Sequence, residues 1–189
     1  MEQYISIPKD VDCSELVHVW DKIDGSNVRA EWNKKRGFYK FGSKGVLIGE
    51  DSKPYGESIK LIRDSYEDDI SKIFRKEHYQ SAVAFFEFHG QNSFAGIHKE
   101  ESHEVTLLDV SPRDEDSILS CKEFMKLFGD LKLPKLLAHT YLTQDMIEQI
   151  HAGTYTGMTF EGVVCKGRMI RKTGLPLMFK VKNRAWIEK

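Results

Sequence analysis

Six residues, Lys22-Ile23-Asp24-Gly25-Ser26-Asn27, interrupt two apolar runs and constrain everything built around them. Leu16-Val17-His18-Val19-Trp20 precedes them, and Val28-Arg29-Ala30-Glu31-Trp32 follows. Both flanks are rich in β-branched and aromatic residues, the composition of strands. The segment between is polar and carries a glycine, which suits a turn. The expectation is a strand–turn–strand, with residues 16–23 and 28–33 paired and a lysine at the mouth of the turn. A lysine amine held there is a candidate nucleophile.

The remaining chain alternates strand-like and helix-like stretches. Residues 1–15 are a lead-in broken by Pro8, and residues 37–48 read as a hairpin with the tip Gly42-Ser43-Lys44-Gly45. Pro54 and Gly56 mark residues 51–57 as loop. Ile59, Ile62, Tyr66, Ile70 and Ile73 recur at helical spacing and predict a helix over 58–74, with Ser58 as N-cap. Further helices are expected over 117–128, ended by Gly129, and over 143–151, closed by Gly153. Strands are expected over 82–86, 104–110, 159–166 and 177–182. Strand clusters separated by single helices point to an α+β fold with largely antiparallel sheets.

At 189 residues the chain is expected to form a single domain, 1–189, with a core that needs neither disulfide nor metal clip. A net charge of −1 excludes a purely electrostatic nucleic-acid sleeve, although Lys34-Lys35-Arg36, Arg168 and Arg171-Lys172 are local basic clusters. Cys13, Cys121 and Cys165 are too widely spaced for a zinc clip or a redox pair, so reduced thiols and a cytoplasmic setting are expected. No apolar stretch reaches membrane-spanning length, so no membrane partner is expected. His18, His89, His98, His103, His139 and His151 lack metal-binding spacing and read as surface or packing residues.

Three later segments place charge where strands should be apolar. Glu87 ends the run Ala82-Val83-Ala84-Phe85-Phe86. Glu161-Gly162-Val163-Val164-Cys165-Lys166 opens on a carboxylate and closes on a lysine. In Phe179-Lys180-Val181-Lys182 the two lysines alternate and so share one strand face. Taken singly, each reads as a wet strand end or a protected edge.

In order, however, these segments resemble the motifs of the covalent nucleotidyltransferases: ATP-dependent DNA ligases, RNA ligases and capping enzymes. Lys22-Ile23-Asp24-Gly25 matches K-x-D-G, Glu87 with Gly90 the middle motif, Glu161 to Lys166 E-G-x-x-x-K, and Lys180-Val181-Lys182 K-x-K. Asn27 stands where RNA ligases of the phage and editing type carry asparagine and the other members usually carry arginine. The resemblance implies an α+β nucleotidyltransferase (ATP-grasp-like adenylation) module of two mostly antiparallel sheets with flanking helices. It implies an ATP-dependent RNA ligase with ATP and Mg2+ as cofactors and RNA ends or nicks, bearing 5′-phosphate and 3′-hydroxyl, as partners. Lys22, Lys180 and Lys182 are then catalytic. Asp21, Ile23, Asp24, Gly25, Asn27, Lys44, Glu87 and Lys166 bind the nucleotide, and Glu161 and Asp24 serve the metal. Lys40 is a second candidate beside Lys44.

The chemistry agrees with the resemblance. The attacking amine must be neutral, a free lysine titrates near about 10.4, and nearby cations favour the neutral form. Lys180 and Lys182 are suited to that and to neutralising charge on an α-phosphate. No Walker-type phosphate loop is present. Two departures stand out. Leu107-Leu108-Asp109-Val110 lies where relatives place a base-stacking aromatic, leaving an aliphatic side chain or Phe88 for that role. Only seven residues follow Lys182, so no C-terminal accessory domain is expected, and a separate accessory protein could take its place. Alternatives are a minimal DNA ligase, a GTP-using capping enzyme, and a nucleotide- or RNA-end-binding module without turnover.

Overall fold

The computed structural model describes residues 2–9, 11–92, 98–113 and 117–188. The chain divides into two compact units. Gly25–Leu133, with a short N-terminal piece that includes Tyr4, forms one; Ile5–Asp24 and Pro134–Lys189 form the other. The fold is α+β, with two antiparallel sheets and flanking helices.

The first unit holds a five-stranded sheet. Its strands are β2 (Gly25–Asn33), β3 (Gly37–Ser43), β4 (Val46–Ile48), β5 (Ser81–His89) and β6 (Glu104–Pro112), in the order β4-β3-β2-β5-β6. The β3–β4 turn is Lys44-Gly45, both with positive φ (42° and 83°), the geometry of a tight hairpin. Alternation assigns the two faces. Val28, Ala30, Trp32, Ala82, Ala84, Phe86 and Phe88 point to the core, while Asn27, Arg29, Glu31 and Glu87 point the other way.

A helical segment covers the apolar face: α1 (Gly56–Ile62), a π-helical turn (Arg63–Glu67) and α2 (Asp68–Lys76). Ile59, Ile62, Tyr66, Ile70 and Phe74 form its buried stripe, so Phe74 takes the place expected of Ile73, which is only partly buried. The helix begins at Gly56, two residues before the expected cap, and the Ser58 hydroxyl instead donates to the Tyr55 carbonyl at 2.6 Å. Burial pushes the Tyr66 phenol up to about 12. Its hydroxyl lies 2.8 Å from Lys132 O and accepts from Leu107 N at 3.3 Å, tying the π turn to β6. Helix α3 is Cys121–Phe128, shorter than the expected 117–128. Ser120 caps it, in a reciprocal capping box with Glu123.

The second unit holds a four-stranded sheet. Its strands are β1 (Leu16–Asp21), β7 (Leu136–Tyr141), β8 (Gly162–Ile170) and β9 (Leu175–Lys182), in the order β7-β1-β8-β9. Val17, Val19, Val163, Cys165, Phe179 and Val181 form one face, packed on Ile147 and Ile150 of α4 (Gln144–Ala152). Thr143 caps α4, and Gly153 ends it in the left-handed conformation (φ 75°). A short α5 (Arg184–Ile187) follows β9. Residues 136–141 were not expected as a strand: on this edge strand Leu137 and Ala138 are only partly buried, so the pattern is faint.

The expected pairing of 16–23 with 28–33 does not occur. β1 is hydrogen-bonded to β7 on one side and β8 on the other, and β2 to β3 and β5. Each strand therefore has no free edge for the other. The polar segment after Asp21 is the connection between two sheets, not a hairpin turn.

Candidate functional site

The second unit gathers four of the expected lysines, Lys22, Lys166, Lys180 and Lys182, and the expected carboxylates Asp21, Asp24 and Glu161, on or beside three adjacent strands. Backbone bonds set the frame. Lys22 N donates to Gly162 O at 2.9 Å, and Asn183 N donates to Glu161 O at 3.1 Å. Residues 161–162 are thus clasped between the ends of β1 and β9. Gly162 has φ 136°, and a Cβ there would stand 2.2 Å from Val181 O, so only glycine allows this approach.

The Glu161 carboxylate then faces a lysine on each side. Lys22 Nζ lies 2.8 Å from Oε2, and Lys182 Nζ lies 2.9 Å from Oε1. Glu161 is 3% exposed, so both contacts act in a setting poor in water. Lys180 shares the face of Lys182 and stands in register with Val164 and, beyond it, Trp20. Burial, with the charges of Lys182 and Lys22, holds the Lys180 ammonium below the ordinary lysine value. Lys166 is buried on the same face, with Nζ 5.9 Å from the Trp20 ring centroid. The buried Trp20 Nε1 has no hydrogen-bond partner among the described residues, which leaves a donor on this face for an acceptor such as a phosphate oxygen.

Asp21 and Asp24 are both buried. Asp21 Oδ1 accepts from Thr159 N at 2.8 Å and from the Thr159 hydroxyl at 3.1 Å, and burial still raises its carboxyl above the usual range. It thereby holds the loop before Glu161 through Oδ1. Ile23 is half-buried between Lys22 and Asp24.

The first unit brings together a second group. Asn27 on β2 stands directly opposite Glu87 on β5, and Glu87 opposite Thr106 on β6. The Asn27 amide donates to Phe86 O at 3.3 Å, and the Ser43 hydroxyl donates to Asn27 O at 2.8 Å. Gly25 opens β2, where a Cβ would stand 2.4 Å from Phe88 O. Lys44 is exposed at the hairpin tip next to Ser43, and Lys40 stands opposite Glu31. Phe88 is buried in the core cluster, with its ring 4.7 Å from that of His103. On this polar face Tyr4 packs against Phe85, with ring centroids 5.0 Å apart, and donates its hydroxyl to Asp109.

Comparison with solved structures shows what this fold is similar to. Structures of the Naegleria gruberi RNA ligase superpose with a TM-score of 0.66 for an alanine variant with ATP and Mn (16% identity), 0.68 for another with AMP and Mn (14%), and 0.67 for the protein with PPi (15%). The chain shares the fold of these RNA ligase structures. In each case the match covers 92% of this chain and 51% of the other, so the chain spans about half the length of these ligases. No family model matches the sequence, and no curated protein matches it.

Within this ligase fold, no three carboxylate, histidine or cysteine side chains converge on one point among the described residues. Glu161 offers one buried carboxylate, flanked by two ammonium groups. That donor set fits a Mg2+ ion arriving with a nucleotide's phosphates, which uses one or two carboxylates and keeps several waters.

Sequence reasoning missed two supports of the lysine cluster. The Trp186 ring lies under Lys182 Nζ, 3.4 Å from its centroid, and Asn183 caps the helix that carries Trp186. A tryptophan four residues after Lys182, with asparagine as a helix start, was the available signal.

Proposed function

We propose that this chain is the self-adenylylating domain of an ATP-dependent RNA ligase. The observation that carries the reading is the Glu161 carboxylate held between Lys22 and Lys182, with Lys180 alongside on a face poor in water. Lys22 gives up a proton, and its Nζ attacks the α-phosphorus of ATP. A P–N bond forms, the bond to the β-phosphate oxygen breaks, and pyrophosphate leaves. A 5′-phosphate on RNA then attacks the lysyl-AMP, freeing Lys22 and giving an adenylylated end. A 3′-hydroxyl displaces AMP and closes the phosphodiester.

The residues divide this work. Glu161 positions the Lys22 amine. With Asp24 it would hold the divalent metal that accompanies ATP, and that ion would supply charge neutralisation for the phosphates. Lys180 and Lys182 stabilise negative charge that builds on the α-phosphate, where fixed cations contribute most. Glu87, an acceptor-only side chain, takes the ribose hydroxyls, with Asn27 beside it. Lys44, Lys166, Ile23, Gly25, Asp21 and Asp24 complete the nucleotide contacts, and Asp24 is the second carboxylate for the metal.

Incubation with α-labelled ATP and magnesium tests the reading. Labelled protein is expected, stable to alkali and labile to acid as a phosphoramidate is, and absent in Lys22→Ala. An unlabelled wild-type band refutes it. Faster sealing of nicked RNA than of nicked DNA supports RNA as substrate; the reverse order identifies a minimal DNA ligase.

A further inference from the structure

The sheet face that carries the lysines does not end at them. Along β1, six residues separate Lys22 from Leu16, about 20 Å of strand. Moving that way, the cross-strand pairs change from lysine to ring. Lys166 stands opposite His18, His18 opposite His139, and Leu16 opposite Tyr141. The two imidazoles lie 4.0 Å apart between centroids and within 14° of parallel, a flat stacked pair. His139 is exposed, and Tyr141 and Leu16 are 55% and 42% exposed. Burial, with His139 and Lys166 nearby, keeps the His18 imidazole below the ordinary histidine value, so this ring favours its uncharged form at neutral pH.

Cations flank these rings. Lys166 belongs to both the lysine site and the ring row. Arg168 is exposed where β8 bulges, paired with Glu15 at 2.7 Å, and Arg171 and Lys172 are exposed in the β8–β9 turn beyond. Rings exposed on an edge strand, as His139 and Tyr141 are, with cations nearby, are what unpaired nucleotides use: bases stack on rings, and phosphates take the charges. A duplex offers no free base faces to such a surface. A folded protein partner would call for a continuous apolar patch, and here histidines and arginines interrupt it.

We propose that Tyr141 and the His18–His139 pair form a stacking platform for unpaired bases of an RNA strand whose end is joined at Lys22. The proposal rests on the ligase reading for the reaction but not for the binding. The platform selects single-stranded ends over intact duplex and takes the bases without sequence preference, since every base has a stacking face.

The test uses the full chain and a short, fluorescent, 5′-phosphorylated single-stranded oligoribonucleotide, read by anisotropy, with ATP labelling of Lys22 measured in parallel. Tyr141→Ala and His139→Ala are each expected to weaken binding about tenfold. Tyr141→Phe, which keeps the ring, retains wild-type affinity. Labelling by ATP stays at the wild-type level in all three variants, which also shows them folded. Unchanged affinity in the two alanine variants overturns the platform, as does binding to duplex RNA that matches or exceeds binding to the single strand. If wild-type protein is not labelled by ATP yet the alanine variants lose RNA, the platform stands and the ligase reading falls.

Discussion

Replacing Glu161 with glutamine keeps the size of the side chain and removes its charge. Its two contacts, at 2.8 and 2.9 Å, are each worth about 6 kcal/mol of gross Coulomb attraction at an effective dielectric of about 20. The net loss is smaller, because desolvation already offsets much of that attraction. It is also capped: a stranded ammonium can shed its proton, which costs about 5 kcal/mol at pH 7 for an ordinary lysine. The lysine side chains keep 19% and 13% of their exposure, and the glutamine oxygen still accepts one hydrogen bond, worth about 1 kcal/mol. The expected loss is about 3 kcal/mol, a fall in Tm of about 6–12 °C for a chain of this size. Thermal melts of both proteins at pH 7 measure this. Equal melting refutes the idea that Glu161 is the counter-ion on which this cluster depends.

Two further perturbations probe the same strands. Lys180 binds its proton less tightly in the folded state than in the unfolded chain, so stability rises with pH from that lowered value up to about 10.5. Lys180→Met is expected to raise Tm at pH 7, by a margin that vanishes toward pH 10.5, and to reduce AMP labelling; a melt at or below wild type at pH 7 counts against this. Gly162→Ala sets a Cβ 2.2 Å from Val181 O at φ 136°, and is expected to cost about 2 kcal/mol or more in denaturant melts, because the Lys22–Gly162 clasp must open. A melting midpoint equal to wild type would show that the strand ends relax freely.

How far the sequence could be read depends on the range of the interactions involved. The helical stripe from Ile59 to Phe74 and the Thr143–Gly153 caps are local, and local patterns carry their own signal. The alternation of Lys180 and Lys182 likewise placed both on one strand face. What could not be read was pairing. Nothing in Leu16–Asp21 says that its neighbours are β7 and β8 instead of the apolar run that follows in sequence. Pairing is decided by which edges other strands have filled, a property of the whole sheet. β7 escaped notice because an edge strand buries too few side chains to show a period. The bridging by Glu161 lay further still out of reach, since two lysines 160 positions apart converge on it only through the β1-β8-β9 order. Motif order supplied the candidate residues; the sheet supplied their distances.

The order of these strands along the chain has a consequence for synthesis. β1 is made early, but its partner β8 and the Lys180–Lys182 strand lie at the other end, about 160 residues later. At about 5–20 residues per second, a ribosome takes roughly 8–30 s to reach them. Until β7 is made, Leu16-Val17-His18-Val19-Trp20 is an apolar strand with neither edge covered, and until β8 follows one edge stays open to association with other chains. The same delay withholds Glu161 and Lys182 from Lys22, which gains these neighbours only once β9 has been made. A chain stopped before Glu161 thus carries Lys22 without the carboxylate and the lysine that surround it.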